Sequence, residues 1–105
     1  MARIALTNKS GKWFDRDKAQ MFEEKRIYLQ SATISKATNE RFYHEALYIT
    51  KTGVFILNKW SDYQNSIETY EEISKERAAR WFTAQSFQDE EIPDVLKNEV
   101  RNYEI

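Results

Sequence analysis

The stretch that decides the fold is residues 41–60, RFYHEALYITKTGVFILNKW. Two runs rich in β-branched and aromatic residues, 41–50 and 54–60, flank Lys51-Thr52-Gly53. This arrangement is typical of two β-strands joined by a short hairpin loop. Gly53 suits the left-handed position of a three-residue loop, because glycine has no Cβ to clash there. The sequence therefore predicts an antiparallel hairpin.

The length of this loop also predicts which residues of the two strands face each other. A type I turn followed by a bulged glycine places Thr50 opposite Val54, and alternation along each strand then separates two faces. The predicted pairs are Ile49–Phe55, Leu47–Leu57 and Glu45–Lys59 on one face, and Tyr48–Ile56, Ala46–Asn58 and His44–Trp60 on the other.

The flanking sequence predicts an α+β domain. Further strands are expected at 3–7, 26–34 and 69–73, with a short additional strand at 12–14. Three helices are expected. A brief one has Asp15 as its N-cap and carries Ala19 and Phe22 on one face, and a second spans 75–85 with Ser74 as its N-cap. The third has Pro93 in its first turn and an apolar stripe of Ile92, Leu96, Val100 and Tyr103. The predicted fold is a single domain, residues 1–105. It is an antiparallel meander of about five short strands, with a short helix near the N-terminus and two C-terminal helices packed on the sheet.

The residue inventory excludes several kinds of chemistry. The chain has no cysteine, which excludes disulfides, thiolate nucleophiles and cysteine-based zinc sites. It has one histidine and two glycines, which excludes a two-histidine metal site and a P-loop or dinucleotide fingerprint. We therefore expect no metal and no cofactor. The lack of cysteine and of long apolar runs leads us to expect a cytoplasmic protein that does not bind a membrane.

Charge is unevenly distributed along the chain. Lys and Arg outnumber Asp and Glu over residues 1–68, and the reverse holds over 69–105. The simpler interpretation is that both parts carry ordinary solvated charge; the alternative is that an anionic partner would meet the N-terminal, sheet-forming part. The acidic pairs Asp15/Asp17, Glu23/Glu24 and Glu71/Glu72 and the run Asp89–Glu91 are interpreted as surface charge.

His44 is the centre of one candidate binding surface. The predicted register places it with Tyr48, Asn58 and Trp60 on one face of the hairpin, where the four side chains form a half-exposed platform for a ligand or a protein. The simpler interpretation is that the imidazole only packs on Trp60. No catalytic residue is assigned, because neither a nucleophile nor a second acid is evident near His44 in the sequence.

A second candidate surface lies on the helix predicted over 75–85. Arg77 and Trp81 belong to the residue types that dominate protein interfaces. Trp81 also falls on the apolar stripe of that helix, which favours a position in the core. If Trp81 is exposed, it becomes the best anchor for a protein partner.

Three functions are compatible with these observations. The favoured one is a small non-enzymatic binding or regulatory protein that acts through protein–protein contact, with an unidentified protein or a second copy of the chain as partner. The first alternative is a nucleic-acid-binding module, suggested by Lys12-Trp13, Arg41-Phe42-Tyr43 and Lys59-Trp60. The net charge of -1 weighs against it. The second alternative is a small enzyme centred on His44 with an acidic partner.

Overall fold

A four-stranded antiparallel sheet forms the centre of the domain in the computed structural model, which describes residues 1–105. Its strand order is β3-β6-β7-β8, and two further pairs, β1-β2 and β4-β5, form separate two-stranded sheets. The strands are β1 (Arg3–Ala5), β2 (Trp13–Asp15), β3 (Gln20–Glu23), β4 (Arg26–Leu29), β5 (Ala32–Ser35), β6 (Tyr43–Ile49), β7 (Phe55–Ser61) and β8 (Thr69–Ile73). The helices are α1 (Lys75–Ala84) and α2 (Lys97–Arg101).

The β6–β7 hairpin has the predicted register throughout. Thr50 exchanges hydrogen bonds with the loop, its carbonyl accepting from the Gly53 amide at 2.9 Å and its amide donating to the Val54 carbonyl at 2.9 Å. Gly53 has a φ of +85°, as the bulged loop requires. All six predicted pairs are present, and Tyr43–Ser61 extends the ladder. Lys59 faces Glu45 in this register but forms its ion pair with Glu71 on β8, at 3.7 Å.

One face of the sheet is covered by the C-terminal helices. Ser74 caps α1 as predicted, its side chain accepting from the Arg77 amide at 3.1 Å. Phe82 of this helix is fully buried and meets Phe22 of β3 edge to face, with ring centroids 5.1 Å apart. The main core lies between the two layers and comprises Leu47, Phe55, Leu57, Ile73, Ala78, Trp81, Phe82, Ile92 and Leu96.

The opposite face is covered at one end by the β1–β2 hairpin. Leu6 and Phe14 of this hairpin pack on Tyr48 and Ile56 of the sheet and form a second, smaller core. Thr7 fixes the hairpin to the sheet edge, because its amide donates to the Tyr70 carbonyl at 2.9 Å and its hydroxyl accepts from the Tyr70 amide at 2.7 Å. The sheet therefore lies between helices on one side and a hairpin on the other.

Two predictions about the N-terminal half are wrong. Residues 26–34 do not form one strand, because Gln30 and Ser31 adopt positive φ angles of 47° and 64° and turn the chain back on itself. The helix predicted after Asp15 is a single 3-10 turn, Arg16–Lys18, and β3 follows it. Phe22 faces the core through the alternation of a strand, since its neighbours on both sides are exposed. The predicted single meander is therefore three separate sheets.

The last helix is shorter than predicted. Two 3-10 turns, Asp89–Glu91 and Asp94–Leu96, precede α2, which begins only at Lys97. Ile92 and Leu96 still reach the core, as the apolar spacing predicted, and Tyr103 remains partly exposed. Segments this short depend on packing for their helical structure.

Two leucine substitutions test the division between core and protruding hairpin. Leu47 is fully buried in β6, whereas Leu29 at the tip of β4 is 53% exposed. We expect Leu47→Ala to lower the free energy of unfolding by about 2–5 kcal/mol and Leu29→Ala to change it by less than about 0.5 kcal/mol. Urea unfolding followed by tryptophan fluorescence measures both. Comparable losses in the two variants would contradict an exposed β4–β5 hairpin.

Candidate functional site

A buried carboxylate lies at the corner between β3 and β4. The side chain of Glu24 is only 1% exposed. Its Oε1 accepts hydrogen bonds from the Ser35 hydroxyl and the Glu45 amide, each at 2.7 Å. Its Oε2 accepts from Arg26 Nε at 2.9 Å and from His44 Nδ1 at 2.7 Å. Four contacts therefore surround the buried charge, and one of them comes from the cationic guanidinium of Arg26.

His44 bridges this buried carboxylate to a second, exposed one. Its Nε2 lies 2.8 Å from Asp62 Oδ2, on the loop that follows β7. Ionised carboxylates only accept hydrogen bonds, and a neutral imidazole has one N–H to donate. Both contacts are therefore satisfied together only by the protonated ring, in which both nitrogens donate. The geometry indicates an imidazolium held between two carboxylates.

The pKa values of the two buried groups follow from these contacts. Burial by itself lowers the pKa of His44, but hydrogen bonds to Asp62 and Glu24 and the charges of both outweigh it and raise the pKa above 6.5. Burial by itself raises the pKa of Glu24, but the hydrogen bonds from the Glu45 amide, Ser35, His44 and Arg26 outweigh it and lower the pKa below 4.5. Glu24 is therefore ionised at neutral pH, and His44 keeps its proton to a higher pH than a free imidazole does.

Neighbouring segments hold the corner in place. The Ser35 hydroxyl also accepts from the amides of Ala37 and Thr38, at 3.1 and 3.2 Å, which fixes the end of β5. The amide of Lys25 donates to the side-chain carbonyl of Gln85 at 2.8 Å, and Gln85 is itself buried at the end of α1. The carboxylate is thus tied to the sheet, to the β4–β5 hairpin and to the helical layer.

A polar cleft of about 460 Å³ opens above His44, between the β4–β5 hairpin and the ends of β6 and β7. Arg26, Arg41 and Asp62 contribute charged groups to its wall. The guanidinium of Arg41 lies 5.0 Å from the centroid of the Phe42 ring, within the range of a cation–π contact. Tyr28, Phe42 and Trp60 supply the aromatic part of the lining.

Three aromatic side chains form an exposed cluster beside this cleft. Phe42, Tyr43 and Tyr63, called the aromatic patch below, have ring centroids 5.4 Å (Phe42–Tyr63) and 5.6 Å (Tyr43–Tyr63) apart. Each is more than one third exposed, and none belongs to either hydrophobic core. The amide of Asp62 donates to the Phe42 carbonyl at 2.9 Å, which holds the loop carrying Tyr63 against β6.

The structure divides the predicted platform of His44, Tyr48, Asn58 and Trp60 between two clefts. Tyr48 is covered by the β1–β2 hairpin, with its ring centroid 5.5 Å from that of Phe14. Asn58 is buried, and its amide nitrogen donates to Glu68 and to the Thr69 carbonyl, each at 3.1 Å. Trp60 is half-buried and lines two clefts. It lines the cleft above His44, with its ring centroid 5.6 Å from that of His44, and it lines a second cleft of about 390 Å³ together with Tyr48 and Asn58. His44 lines only the first cleft, so the four residues do not all line one cleft.

Arg77 and Trp81 lie apart from the cleft. Trp81 is 8% exposed, and its indole N–H donates to Glu45 Oε1 at 3.0 Å. Burial raises the pKa of Glu45, against the indole hydrogen bond and the nearby charges of Lys59 and Arg77. Arg77 is exposed and pairs with Glu71 at 3.3 Å. Trp81 is a core residue, as its position on the apolar stripe favoured.

Sequence reasoning missed Glu24 and Asp62. Glu24 was interpreted as surface charge together with Glu23, and this is wrong for Glu24, which is buried, and right for Glu23, which is exposed. One signal was present in the sequence. Glu24 lies two residues after Phe22, and the alternation of a strand that buries Phe22 would also bury position 24. The missing information was that three strands converge on that point.

Comparisons with known proteins contribute no assignment. No model of a protein family, no curated protein and no solved structure matches the chain significantly. The structure contains no cluster of three or more His, Asp or Glu side chains arranged to hold a metal ion. No helix of the domain has the length and apolar character needed to cross a membrane. The site must therefore be interpreted from its own geometry.

Substitution of the two adjacent glutamates tests the buried carboxylate. In Glu24→Gln the side chain loses its charge and accepts fewer hydrogen bonds, so we expect the free energy of unfolding to fall by about 2–3 kcal/mol. Glu23→Gln alters an exposed neighbour of the same type and should change it by less than about 0.5 kcal/mol. Equal effects in urea unfolding would contradict the central position of Glu24.

The dependence of stability on pH tests the charge of His44. The pKa of His44 in the folded protein lies above 6.5, so its stabilising contribution is complete below pH 6.5 and is lost as the pH rises through the folded pKa. The pKa of Glu24 is lowered, so its contribution is present above pH 4.5 and is lost as the pH falls through the folded value. Urea unfolding of the protein should therefore show stability falling on the alkaline side of pH 6.5.

His44→Gln is the control for this titration. His44 is the only histidine in the chain, and there is no cysteine, so the variant should lose the decrease above pH 6.5. A decrease that persists unchanged in the variant would show that another group causes it.

Proposed function

We propose that this domain is a non-enzymatic binding protein that contacts a protein partner through the aromatic patch. The observation that carries the proposal is the exposed contact of Phe42, Tyr43 and Tyr63, three rings that pack on one another outside both cores. Exposed apolar clusters of this kind mark interaction surfaces more often than isolated apolar side chains do. A partner that covered the rings would remove their apolar surface from water.

The composition of the surrounding surface supports a protein partner. Tyr and Arg are enriched at the centres of protein interfaces, and Arg41 already lies over the Phe42 ring. Tyr28, which is 72% exposed on the β4–β5 hairpin, lines the same cleft as Phe42. The aromatic patch and the cleft therefore offer a partner one continuous surface.

The charge pattern supports a protein over a nucleic acid. Tight binding to single strands requires several phosphate contacts by Lys and Arg. Two of the three cationic groups in the cleft, Arg26 and His44, are already paired with the Glu24 carboxylate. Of these three cationic groups, only Arg41 forms no ion pair within the chain. One free cation provides little of the electrostatic term that nucleic-acid binding needs.

The hydrogen bonds of His44 support a non-enzymatic role. A general base requires an unprotonated nitrogen within reach of a substrate proton. Here Nδ1 and Nε2 each contact a carboxylate, at 2.7 and 2.8 Å. The nearest hydroxyl of the network, Ser35, donates to Glu24 and not to the imidazole.

Affinity capture from an extract of the native host tests the proposal. The purified domain and the double variant Phe42→Ser/Tyr63→Ser are immobilised in parallel, and the retained proteins are quantified by mass spectrometry. We expect one or more proteins to be retained by the domain and reduced about tenfold by the double variant, since two aromatic contacts are lost.

Ile67→Ser is the matched control for this capture. Ile67 lies in the same loop as Tyr63 and is 81% exposed, but it is not part of the aromatic patch. The control should retain the same proteins as the unchanged domain. Identical profiles for the double variant and the control would contradict the proposal.

Light scattering distinguishes a second copy of the chain from a different partner. A concentration-dependent dimer that the double variant abolishes would identify the chain itself as the occupant of the aromatic patch. A monomer at all concentrations would leave a different protein as the partner.

A further inference from the structure

We infer that the cleft above His44 binds an acidic side chain of the protein partner, at the position that the Asp62 carboxylate occupies in the unbound domain. The inference rests on the proposed function and states what the partner contributes: an Asp or Glu next to an apolar residue. Asp62 then acts as an internal substitute for the partner's acidic group.

The two carboxylates that contact His44 differ in how firmly they are held. Glu24 is buried and accepts four hydrogen bonds from three segments of the chain. The side chain of Asp62 is 55% exposed, and its hydrogen bond is the one to His44 Nε2. Asp62 has this one hydrogen-bond partner and more than half of its side chain reaches water, so an incoming carboxylate that takes its place on His44 Nε2 exchanges one contact for an equivalent one.

The backbone allows this replacement without rearrangement of the fold. The Asp62 amide remains hydrogen-bonded to the Phe42 carbonyl at 2.9 Å. Rotation of the Asp62 side chain alone therefore exposes His44 Nε2, while the loop and the aromatic patch keep their positions. The partner's acid would enter a site that is already formed, which lowers the cost of binding.

Arg41 supplies the second contact for the incoming acid. Its guanidinium lines the cleft with His44 and Asp62, rests on the Phe42 ring and forms no ion pair within the chain. A planar guanidinium matches the two oxygens of a carboxylate. The Nε of Arg26 donates to Glu24, and the terminal guanidinium nitrogens of Arg26 make no hydrogen bond within the chain.

The balance of charge in the cleft favours one additional acid. Three cationic side chains, Arg26, Arg41 and His44, line the cleft with one carboxylate, Asp62, and the second carboxylate, Glu24, is buried and does not line it. When a partner's acid displaces Asp62, the Asp62 carboxylate returns to water. The incoming carboxylate then compensates the positive charge of the cleft in its place. Tyr28, Phe42 and Trp60 line the walls, so an apolar residue beside the acid would contact aromatic rings.

An array of synthetic peptides tests this inference directly. Each peptide carries one Asp or Glu flanked by Leu, Phe, Tyr or Trp, and a matched peptide carries Asn or Gln at the same position. Single-stranded oligothymidylate is added as a separate probe. The fluorescently labelled domain is compared with Asp62→Asn and with Arg41→Gln.

We expect the acidic peptides to bind more tightly than their amide counterparts. Asp62→Asn, which removes the competing charge, should increase this binding by about tenfold, and Arg41→Gln should reduce it by about tenfold. Asp89→Asn and Lys51→Gln change exposed residues outside the cleft lining, and both should bind the acidic peptides like the unchanged domain.

Four results would overturn the inference. The first two are equal binding of acidic and amide peptides, and no acid-selective binding by either the domain or Asp62→Asn. The other two are acidic peptides that bind Asp62→Asn no more tightly than the unchanged domain, and a preference for oligothymidylate. The last result would identify a nucleic acid as the ligand of the cleft. Failure of this inference can be distinguished from failure of the proposed function. If partner capture depends on Phe42 and Tyr63 but not on Arg41, the aromatic patch is supported as the binding surface and the acid site is contradicted.

Discussion

The Glu24 carboxylate connects parts of the domain that local sequence does not connect. A buried charge is tolerated only when hydrogen bonds and opposite charges surround it. Here the required donors come from β4, β5 and two positions on β6. The chain must therefore bring the protruding β4–β5 hairpin against the end of the central sheet, and this places the cleft and orients His44.

The distribution of covering elements explains why the accessible surface lies where it does. Helices cover one face of the four-stranded sheet, and the β1–β2 hairpin covers one end of the other face. The opposite end, where β6 begins and β7 finishes, receives neither cover. Polar contacts centred on Glu24 and His44 take the place of an apolar core there. Aromatic rings remain at the surface because nothing in the chain packs over them.

Local patterns predicted the parts of the fold that depend on neighbouring residues. The β6–β7 register follows from the loop around Gly53, and the start of α1 follows from the Ser74 cap. The turn at Gln30-Ser31 escaped prediction because neither residue is a glycine, although both adopt positive φ. Strand β3 was mistaken for a helix because its pairing partner, β6, lies more than twenty residues further along the chain.

The candidate site was only partly accessible to sequence reasoning. His44 was identified, and its position opposite Trp60 is confirmed. Glu24 and Asp62 were not identified, because they approach His44 from positions 20 residues before it and 18 residues after it. No local spacing rule predicts such a contact, and a carboxylate just past the end of a strand resembles surface charge until its donors are known.

Nuclear magnetic resonance of the His44 side chain tests the central claim most directly. Long-range proton–nitrogen spectra report the protonation of Nδ1 and Nε2 separately, and His44 is the only histidine to observe. If one imidazolium joins Glu24 to Asp62, both nitrogens carry protons at pH 6.5 and the titration midpoint lies above that value. A neutral ring at pH 6.5, with a midpoint at or below it, would contradict the account.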